Sequence, residues 1–349
     1  MTESPLLRMT RTTPTCLWND SADPRELAQA IGWGAVGATC NPVIALSALK
    51  ADLPVWQARI REFAAAHPTA TEDEIGWQMV KDLSVEAARL LEPTYDEQHG
   101  VNGRLSIQTD PRLYRDTAAL VEQAVQFSGL APNMIVKIPV TTEGAAAFEE
   151  ATYRGVSINA TVSFTLPQAL AVGEAVERGL RRREAEGLDV STMGPVCTIM
   201  VGRLDDWLRV VAERDGITVD PGHLEWAGVA VFKKAYEIYV ARGYRTRLLS
   251  AAFRNHMHWS EFIGGNVVIS PPFGWQERLN RSGIEPTPRL EDPVAPAIVD
   301  SLYDNFDEDG LTPGEFTDFG ATRRTLRQFL AANSDLEALV RDVTLPNPG

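Results

Sequence analysis

The sequence has few lysines and a deficit of positive charge. Five of its 33 basic residues are lysines and the other 28 are arginines. Acidic residues outnumber basic ones by 47 to 33, which gives a formal net charge of -14. Because so negative a surface repels phosphate backbones and anionic lipids, we expect no nucleic-acid partner and no membrane partner.

Cysteine and long apolar runs are also scarce. The three cysteines are odd in number and form no CxxC pair, which argues against a disulfide framework and against a cysteine zinc site. The longest apolar stretch, residues 32–49, is interrupted by Asn41 and Pro42, so it does not predict a membrane span. The N-terminus has no apolar core typical of a signal peptide. We therefore expect a cytoplasmic protein.

No Gly- or Ser-rich linker and no internal repeat divides the chain. Of its 349 residues, 44% are hydrophobic and 23% are charged, which is typical of a globular protein. This length is common for an α/β barrel that folds as one unit. The prediction is a single domain that covers residues 1–349.

Eight short apolar runs alternate with amphipathic stretches that have helical spacing. The runs are uninterrupted, which is typical of parallel strands covered by helices. They occupy residues 16–19, 34–39, 104–108, 134–139, 156–160, 195–200, 248–253 and 266–270. Eight βα units predict an α/β fold, a single (β/α)8 TIM barrel whose active site lies at the C-terminal ends of the strands.

Several helix boundaries are readable. Asp-Pro pairs at 110–111 and 220–221 predict the first residues of helices that run toward Gly129 and Gly243, because aspartate caps helices and proline suits their first position. Extra helices are expected between the second and third strands and at the C-terminus. The further predicted helices are 56–66, 77–92, 166–186, 295–308 and 320–342.

Lys137 lies inside the fourth predicted strand, between Val136 and Ile138. Burial disfavours a charged ammonium and lowers the pKa of a lysine. A neutral amine attacks carbonyl groups and forms a Schiff base. The alternative interpretation is a structural lysine paired with a carboxylate inside the barrel.

Polar side chains end or follow the other predicted strands. They are Asp20, Asn41, Gln108, Asn159, Thr161, Thr198, Arg203 and Arg254. Since the C-terminal ends of all barrel strands meet at one mouth, these side chains are expected to line one site. Amides and hydroxyls suit sugar hydroxyl groups, and arginines suit a phosphate. Taken singly, Asp20 is also a candidate helix cap, and Arg203 a partner for Asp206.

Six segments in this order resemble the transaldolase family, class I aldolases with a barrel fold and a Schiff-base lysine on the fourth strand. The segments are LWNDSADPRELAQAI (17–31), GAVGATCNPVIAL (34–46), GRLSIQTDPRLYRD (103–116), NMIVKIPVTTEGAAAF (133–148), GVSINATVSFTLPQA (155–169) and VGRLDDWL (201–208). The C-terminal part, with DEDGLTPGEF before a final helix, is similar to the longer bacterial members.

The resemblance implies catalytic roles at the matching positions. Lys137 forms an imine with a ketose donor, and Asp20 deprotonates the hydroxyl whose C–C bond then breaks. Thr161 helps to place the water used in imine formation. No cofactor is implied, since a protonated imine is itself an electron sink.

The resemblance also implies a binding set for sugar phosphates. Asn41 and Asn159 hold hydroxyls of the three-carbon fragment, and Arg203 and Arg254 bind the phosphate. The family's place is carbohydrate metabolism, including the pentose phosphate pathway. The sequence leaves a monomer and a homodimer equally open.

Four positions depart from the family pattern. Gln108 replaces a glutamate that relays a proton, as it does in fructose-6-phosphate aldolases, and Met200 replaces an aromatic residue beside the reaction centre. Thr198 replaces a serine, and Ala252 replaces a serine that contacts the phosphate. Glutamine holds a water but does not shuttle its proton, and methionine has no hydroxyl.

These departures leave several functions open. The chain is expected to be a transaldolase that moves a dihydroxyacetone unit, with the ordinary or with an altered donor or acceptor. The alternatives are a fructose-6-phosphate-aldolase-like lyase and a non-catalytic barrel that binds sugar phosphates.

Two metal signals are weak, so no metal site is predicted. Residues 305–310 resemble the start of a calcium loop, but the bidentate glutamate is missing because the twelfth position is Phe316. His256 and His258 lack an identifiable third ligand, so a packing role is favoured.

Overall fold

The computed structural model of the protein describes residues 3–307 and 309–347. Its eight parallel strands pair in sequence order, and the last pairs with the first, so they close a barrel. The strands are β1 Cys16–Asn19, β2 Ala35–Thr39, β3 Arg104–Gln108, β4 Met134–Pro139, β5 Ile158–Ser163, β6 Val196–Ile199, β7 Arg247–Ser250 and β8 Val268–Ile269. The predicted (β/α)8 TIM barrel is confirmed.

Helices surround the barrel. They are α1 Pro5–Thr12, α2 Pro24–Gly32, α3 Pro42–Ala51, α4 Leu53–Ala66, α5 Glu72–Glu97, α6 Thr117–Ser128, α7 Thr142–Tyr153, α8 Leu166–Ala185, α9 Val201–Asp215, α10 Pro221–Leu224, α11 Ala227–Arg242, α12 Met257–Ser260, α13 Phe273–Arg281, α14 Pro296–Asn305 and α15 Gly320–Thr344. The extra helices between β2 and β3 and at the C-terminus are present as expected. The predicted end of the helix at residue 308 lies outside the described residues. No helix in the described ranges is long and apolar enough to cross a membrane.

The two helices predicted from Asp-Pro pairs are each interrupted. Asp110 caps only a 3-10 turn, Pro111–Leu113, and α6 begins anew where the Asp116 side chain accepts a hydrogen bond from the Ala119 N–H at 2.9 Å. Asp220 likewise caps only α10, and α11 begins after a break. An Asp-Pro pair marks where a helix begins, but the next backbone break decides its length.

The barrel interior contains an apolar layer below the lysine. Ile135 and Lys137 are two residues apart on β4, so both side chains face the same side of the strand. The buried cluster that contains Ile135 is separate from the larger core between helices and sheet. It consists of Trp18, Ile135, Val196, Leu249, Ala251 and Val268. This layer closes the barrel beneath Lys137 and leaves the other end as the mouth.

The C-terminal helix α15 lies across the mouth. It packs against α3, α4, α5 and α9 and against the end of β5. The Thr322 hydroxyl on α15 accepts a hydrogen bond from Gln168 at the beginning of α8. The helix therefore brings side chains from the end of the chain to the strand ends.

Candidate active site

Lys137 lies between two other candidate residues in the barrel wall. In the strand register, Gln108 of β3 pairs with Lys137 on one side and Asn159 of β5 pairs with it on the other. The Lys137 side chain is buried, with 5% exposure. Burial lowers the pKa of its ammonium, and the nearby Arg203 guanidinium lowers it further, while the negative charge of Asp20 opposes this shift. The strand thus holds an amine that loses its proton more readily than a surface lysine.

Asp20 follows β1 and is partly buried. Its Oδ1 accepts a hydrogen bond from the Thr39 hydroxyl at 2.5 Å. It does not cap the next helix, because Asp23 accepts the hydrogen bonds from the first N–H groups of α2. Burial lowers the pKa of the Lys137 ammonium and the negative charge of Asp20 opposes this shift, so the two groups lie near each other. Asp20 also borders a cavity of about 280 Å³ among α2, α3 and α13, and this cavity includes none of the other candidate residues.

Cys40, another ionisable group close to the lysine, is not a competing nucleophile. Burial raises the pKa of its thiol to about 12, so the thiolate is scarce at neutral pH. Of the ionisable groups close to Lys137, the amine itself is the one that burial converts toward its nucleophilic form.

Asn159 is fixed by hydrogen bonds across the barrel. Its Nδ2 donates to the Ser106 Oγ at 3.1 Å, and the Thr198 hydroxyl donates to its Oδ1 at 2.7 Å. All three side chains are buried. The predicted residues Asn159 and Thr198 thus lie together, and Ser106 joins them although the sequence did not single it out. Its position two residues before Gln108 on β3 was the available signal.

Two predicted polar residues have buried atoms without a partner. The Gln108 Oε1 and the Thr161 Oγ1 are both buried and make no hydrogen bond. Buried polar atoms are nearly always satisfied by protein or water. Because Gln108 is next to Lys137 in the register, such an acceptor suits a water or a substrate hydroxyl at the amine.

Asn41 has a structural role that the sequence did not separate from binding. It is the N-cap of α3, and its Oδ1 accepts a hydrogen bond from the Ile44 N–H at 3.0 Å. Because this oxygen is engaged by the helix, the amide nitrogen Nδ2 is the atom of Asn41 that remains for a substrate hydroxyl.

The two candidate phosphate arginines border one cavity of about 110 Å³ together with Arg324 of α15. Arg203 Nη1 donates to the Gln328 Oε1 at 2.5 Å and to the Thr325 Oγ1 at 3.3 Å. Burial lowers the pKa of the Arg203 guanidinium, and the charge of Arg254 lowers it further. Three guanidinium groups and the one carboxylate of Asp206 line this cavity, so its net charge is positive and fits an anionic group.

Asp206 pairs with Arg254 and not with Arg203. The Asp206 Oδ2 accepts from the Arg254 Nε at 2.8 Å and from its Nη2 at 2.7 Å. The alternative of an Arg203–Asp206 pair is therefore wrong. The α15 partners Thr325 and Gln328 were missed by the sequence interpretation because they follow no strand and lie far along the chain.

Met200 and Ala252 provide no polar side chain at the mouth. Met200 is 7% exposed and is the N-cap residue of α9, directly after β6. Ala252 follows β7 with a φ of 64°, a left-handed conformation that is uncommon for a residue with a side chain. The β7 turn is thus held in an unusual backbone shape next to Arg254.

The two histidines considered as metal ligands make other contacts in the structure. Within the described ranges no cluster of three or more His, Cys, Asp or Glu side chains suits a metal ion. His256 contacts the Ser260 hydroxyl, and His258 contacts Asp205. The segment that resembles a calcium loop includes residue 308, which lies outside the described residues.

One protein family and several bacterial proteins are similar to this chain in sequence. The sequence model of the family described as "Transaldolase/Fructose-6-phosphate aldolase" matches residues 17–309. A "Transaldolase" of Thiobacillus denitrificans is 32% identical over 288 residues, which cover 75% of this chain and 78% of that protein. A "Transaldolase" of Thermobifida fusca is 36% identical over 172 residues, 49% of this chain and 46% of that protein. "Transaldolase 2" of Streptomyces avermitilis is 33% identical over 209 residues, 59% of this chain and 55% of that protein. The chain thus spans about half the length of the last two relatives.

Proposed function

Because the chain belongs to the transaldolase/fructose-6-phosphate aldolase family, we propose that it is a transaldolase-type transferase. It moves a dihydroxyacetone unit from a ketose phosphate to an aldose phosphate through a Schiff base at Lys137. The observation that carries this proposal is the buried amine of Lys137, with its lowered pKa, between Gln108 and Asn159 in the barrel wall.

The first step is formation of the imine. The neutral Lys137 amine adds to the ketose carbonyl, and loss of water gives a protonated imine. Gln108 and Thr161 are the groups proposed to hold this water, since each has a buried oxygen without a partner. Glutamine positions the water without exchanging a proton with it.

The second step is cleavage of the C–C bond. Asp20 takes the proton of the hydroxyl on the carbon beyond the bond, an aldehyde leaves, and the bonding electrons move into the imine to give an enamine. An acceptor aldehyde then adds to the enamine, and Asp20 returns the proton. Water hydrolyses the new imine, which releases the product ketose and restores the Lys137 amine. Asn41, Asn159 and Thr198 are assigned to the hydroxyls of the three-carbon fragment.

Arg203 and Arg254 are assigned to the phosphate. The net charge of -14 does not attract an anion, so the local cluster of guanidinium groups must do so. The proposed location is the cytoplasm, where sugar phosphates are metabolised. The proposed pathway class is carbohydrate metabolism, the pentose phosphate pathway included.

A second candidate function is a lyase that releases free dihydroxyacetone. Gln108 favours it, because the sequence shares this glutamine with fructose-6-phosphate aldolases. Met200 opposes it, because release requires a proton donor for the enamine carbon in place of the acceptor aldehyde, and a thioether has no proton to give. Transfer therefore remains the proposed activity.

Borohydride trapping tests the proposal. Reduction in the presence of fructose 6-phosphate or dihydroxyacetone is expected to add the mass of the reduced ligand fragment at Lys137. Lys137→Met abolishes the adduct, whereas Lys50→Met, which removes an exposed lysine of α3, retains it. Ligand-dependent stabilisation without any adduct from a panel of ketoses would favour the non-catalytic barrel instead.

A further inference from the structure

A buried carboxylate–imidazole pair lies beside the phosphate cavity and outside the residues assigned above. Asp205 of α9 and His258 of α12 are both fully buried, at 0% exposure. The His258 Nε2 and the Asp205 Oδ2 are 2.9 Å apart. Burying two such polar groups is costly unless each is fully hydrogen-bonded.

The hydrogen bonds determine which nitrogen of His258 carries the proton. The Arg254 backbone N–H donates to the His258 Nδ1 at 3.0 Å, so Nδ1 is an acceptor. Nε2 therefore carries the proton and donates to Asp205. The other carboxylate oxygen, Oδ1, accepts from the Gly228 N–H of α11 at 2.9 Å. One continuous chain thus joins the beginning of α11 to the backbone of Arg254.

The turn that bears Arg254 is closely packed as well. A Cβ on Gly202 would lie 2.1 Å from the Ala252 carbonyl oxygen and 2.7 Å from the Arg254 Cγ, so only glycine fits there. The Ser250 hydroxyl donates to the His258 carbonyl at 3.0 Å. The left-handed φ of Ala252 persists only where its surroundings hold it.

We propose that Asp205 and His258 are positioning residues for the phosphate site, because they fix the backbone of Arg254 while Asp206 fixes its guanidinium. The two consecutive carboxylates of α9 thus hold one arginine at its two ends. Asp205 acts through His258 on the main chain, and Asp206 acts directly on the side chain. This inference rests on the proposed function, since it assigns the phosphate to Arg254.

Two substitutions at His258 separate positioning from packing. In His258→Asn the amide oxygen takes the place of Nδ1 and still accepts from the Arg254 N–H. In His258→Gln the amide reaches toward Asp205, and the Arg254 N–H loses its acceptor. We expect His258→Gln to raise KM for fructose 6-phosphate about tenfold, the effect of losing one buried hydrogen bond, with less than a twofold change for dihydroxyacetone. His258→Asn is expected to lie between the wild type and His258→Gln, because it keeps the acceptor for the Arg254 N–H but loses the hydrogen bond to Asp205 that orients it.

Stabilisation by inorganic phosphate gives a second readout that needs no turnover. Phosphate is expected to raise the Tm of the wild type and of His258→Asn more than that of His258→Gln. Equal KM changes for the two donors, or equal losses in the Asn and Gln variants, would overturn the proposal. If the wild type binds phosphate but no ketose is trapped at Lys137, the proposed activity is wrong and the phosphate readout still decides the role of His258.

Discussion

Gln108 and Lys137 are neighbours across β3 and β4, and the Gln108 Oε1 is buried without a hydrogen-bond partner. An acceptor beside the amine holds a water or a hydroxyl, but a glutamine neither gives nor takes its proton. In the proposed mechanism, residue 108 therefore holds a water without relaying its proton.

Gln108→Glu is expected to increase transfer activity several-fold at the pH optimum, because a carboxylate both holds the water and relays its proton. The new negative charge also raises the pKa of Lys137, so the acid limb of the kcat/KM profile moves to higher pH. Steady-state kinetics over a range of pH measures both effects. Gln108→Leu is the matched control, which removes the acceptor and is expected to lower activity. An unmoved acid limb in Gln108→Glu would show that residue 108 does not face the amine.

Lys137→Met is expected to raise thermal stability while it abolishes trapping. The pKa of Lys137 is lowered by burial, so burying its charged form reduces the free energy of unfolding of the wild type. The reduction is full at low pH, where the amine is charged in both the folded and the unfolded chain. It disappears as the pH rises toward 10.5, the ordinary lysine value. The variant should therefore gain about 2 °C or more in Tm at pH 6, and the gain should shrink above pH 9. Calorimetry at several pH values checks this, and a gain independent of pH contradicts it.

Arg254→Ala is expected to raise KM for phosphorylated donors by about 10- to 100-fold, since charge-assisted hydrogen bonds to the phosphate are lost. The KM for free dihydroxyacetone should change little. Arg242→Ala is the control, because Arg242 is an exposed arginine of α11 paired with Glu174. A change of the same size for both donors would mean that Arg254 does not bind phosphate.

Met200→Tyr is expected to shift the reaction from transfer toward release of dihydroxyacetone. A tyrosine hydroxyl at this place, directly after β6, offers a proton for the enamine carbon, and protonation of that carbon leads to release instead of transfer. Mass spectrometry of products with and without an acceptor gives the ratio of release to transfer. Met200→Phe has the same ring without the hydroxyl and should leave that ratio close to the wild-type value. If the Tyr and Phe variants give the same ratio, the hydroxyl has no role in release.

The barrel was predictable because buried parallel strands produce short apolar runs, and all eight were located within a few residues. Helix lengths were harder to predict. At Asp110 and Asp220 a capping sequence correctly marked a first turn, but the chain left the helix within a few residues and began again. Such breaks depend on how a loop packs, which a capping motif does not encode.

The strand-end residues were predictable for a similar reason, since barrel geometry gathers them whatever their distance in sequence. The hydrogen-bond partners of these residues were not predictable. Local spacing suggested an Arg203–Asp206 pair, whereas the fold joins Asp206 to Arg254 and gives Arg203 two partners on α15. Contacts between distant segments decide these partners, so composition and spacing do not reveal them.

The placement of α15 also has a consequence for biosynthesis. All eight strands lie before residue 270. Arg203 is held by two side chains that lie beyond residue 320, those of Thr325 and Gln328. On the ribosome the strands of the barrel are therefore complete well before the phosphate cavity has its last wall. A nascent chain shorter than 320 residues contains Lys137 and all eight strands but lacks the two α15 side chains that hold Arg203.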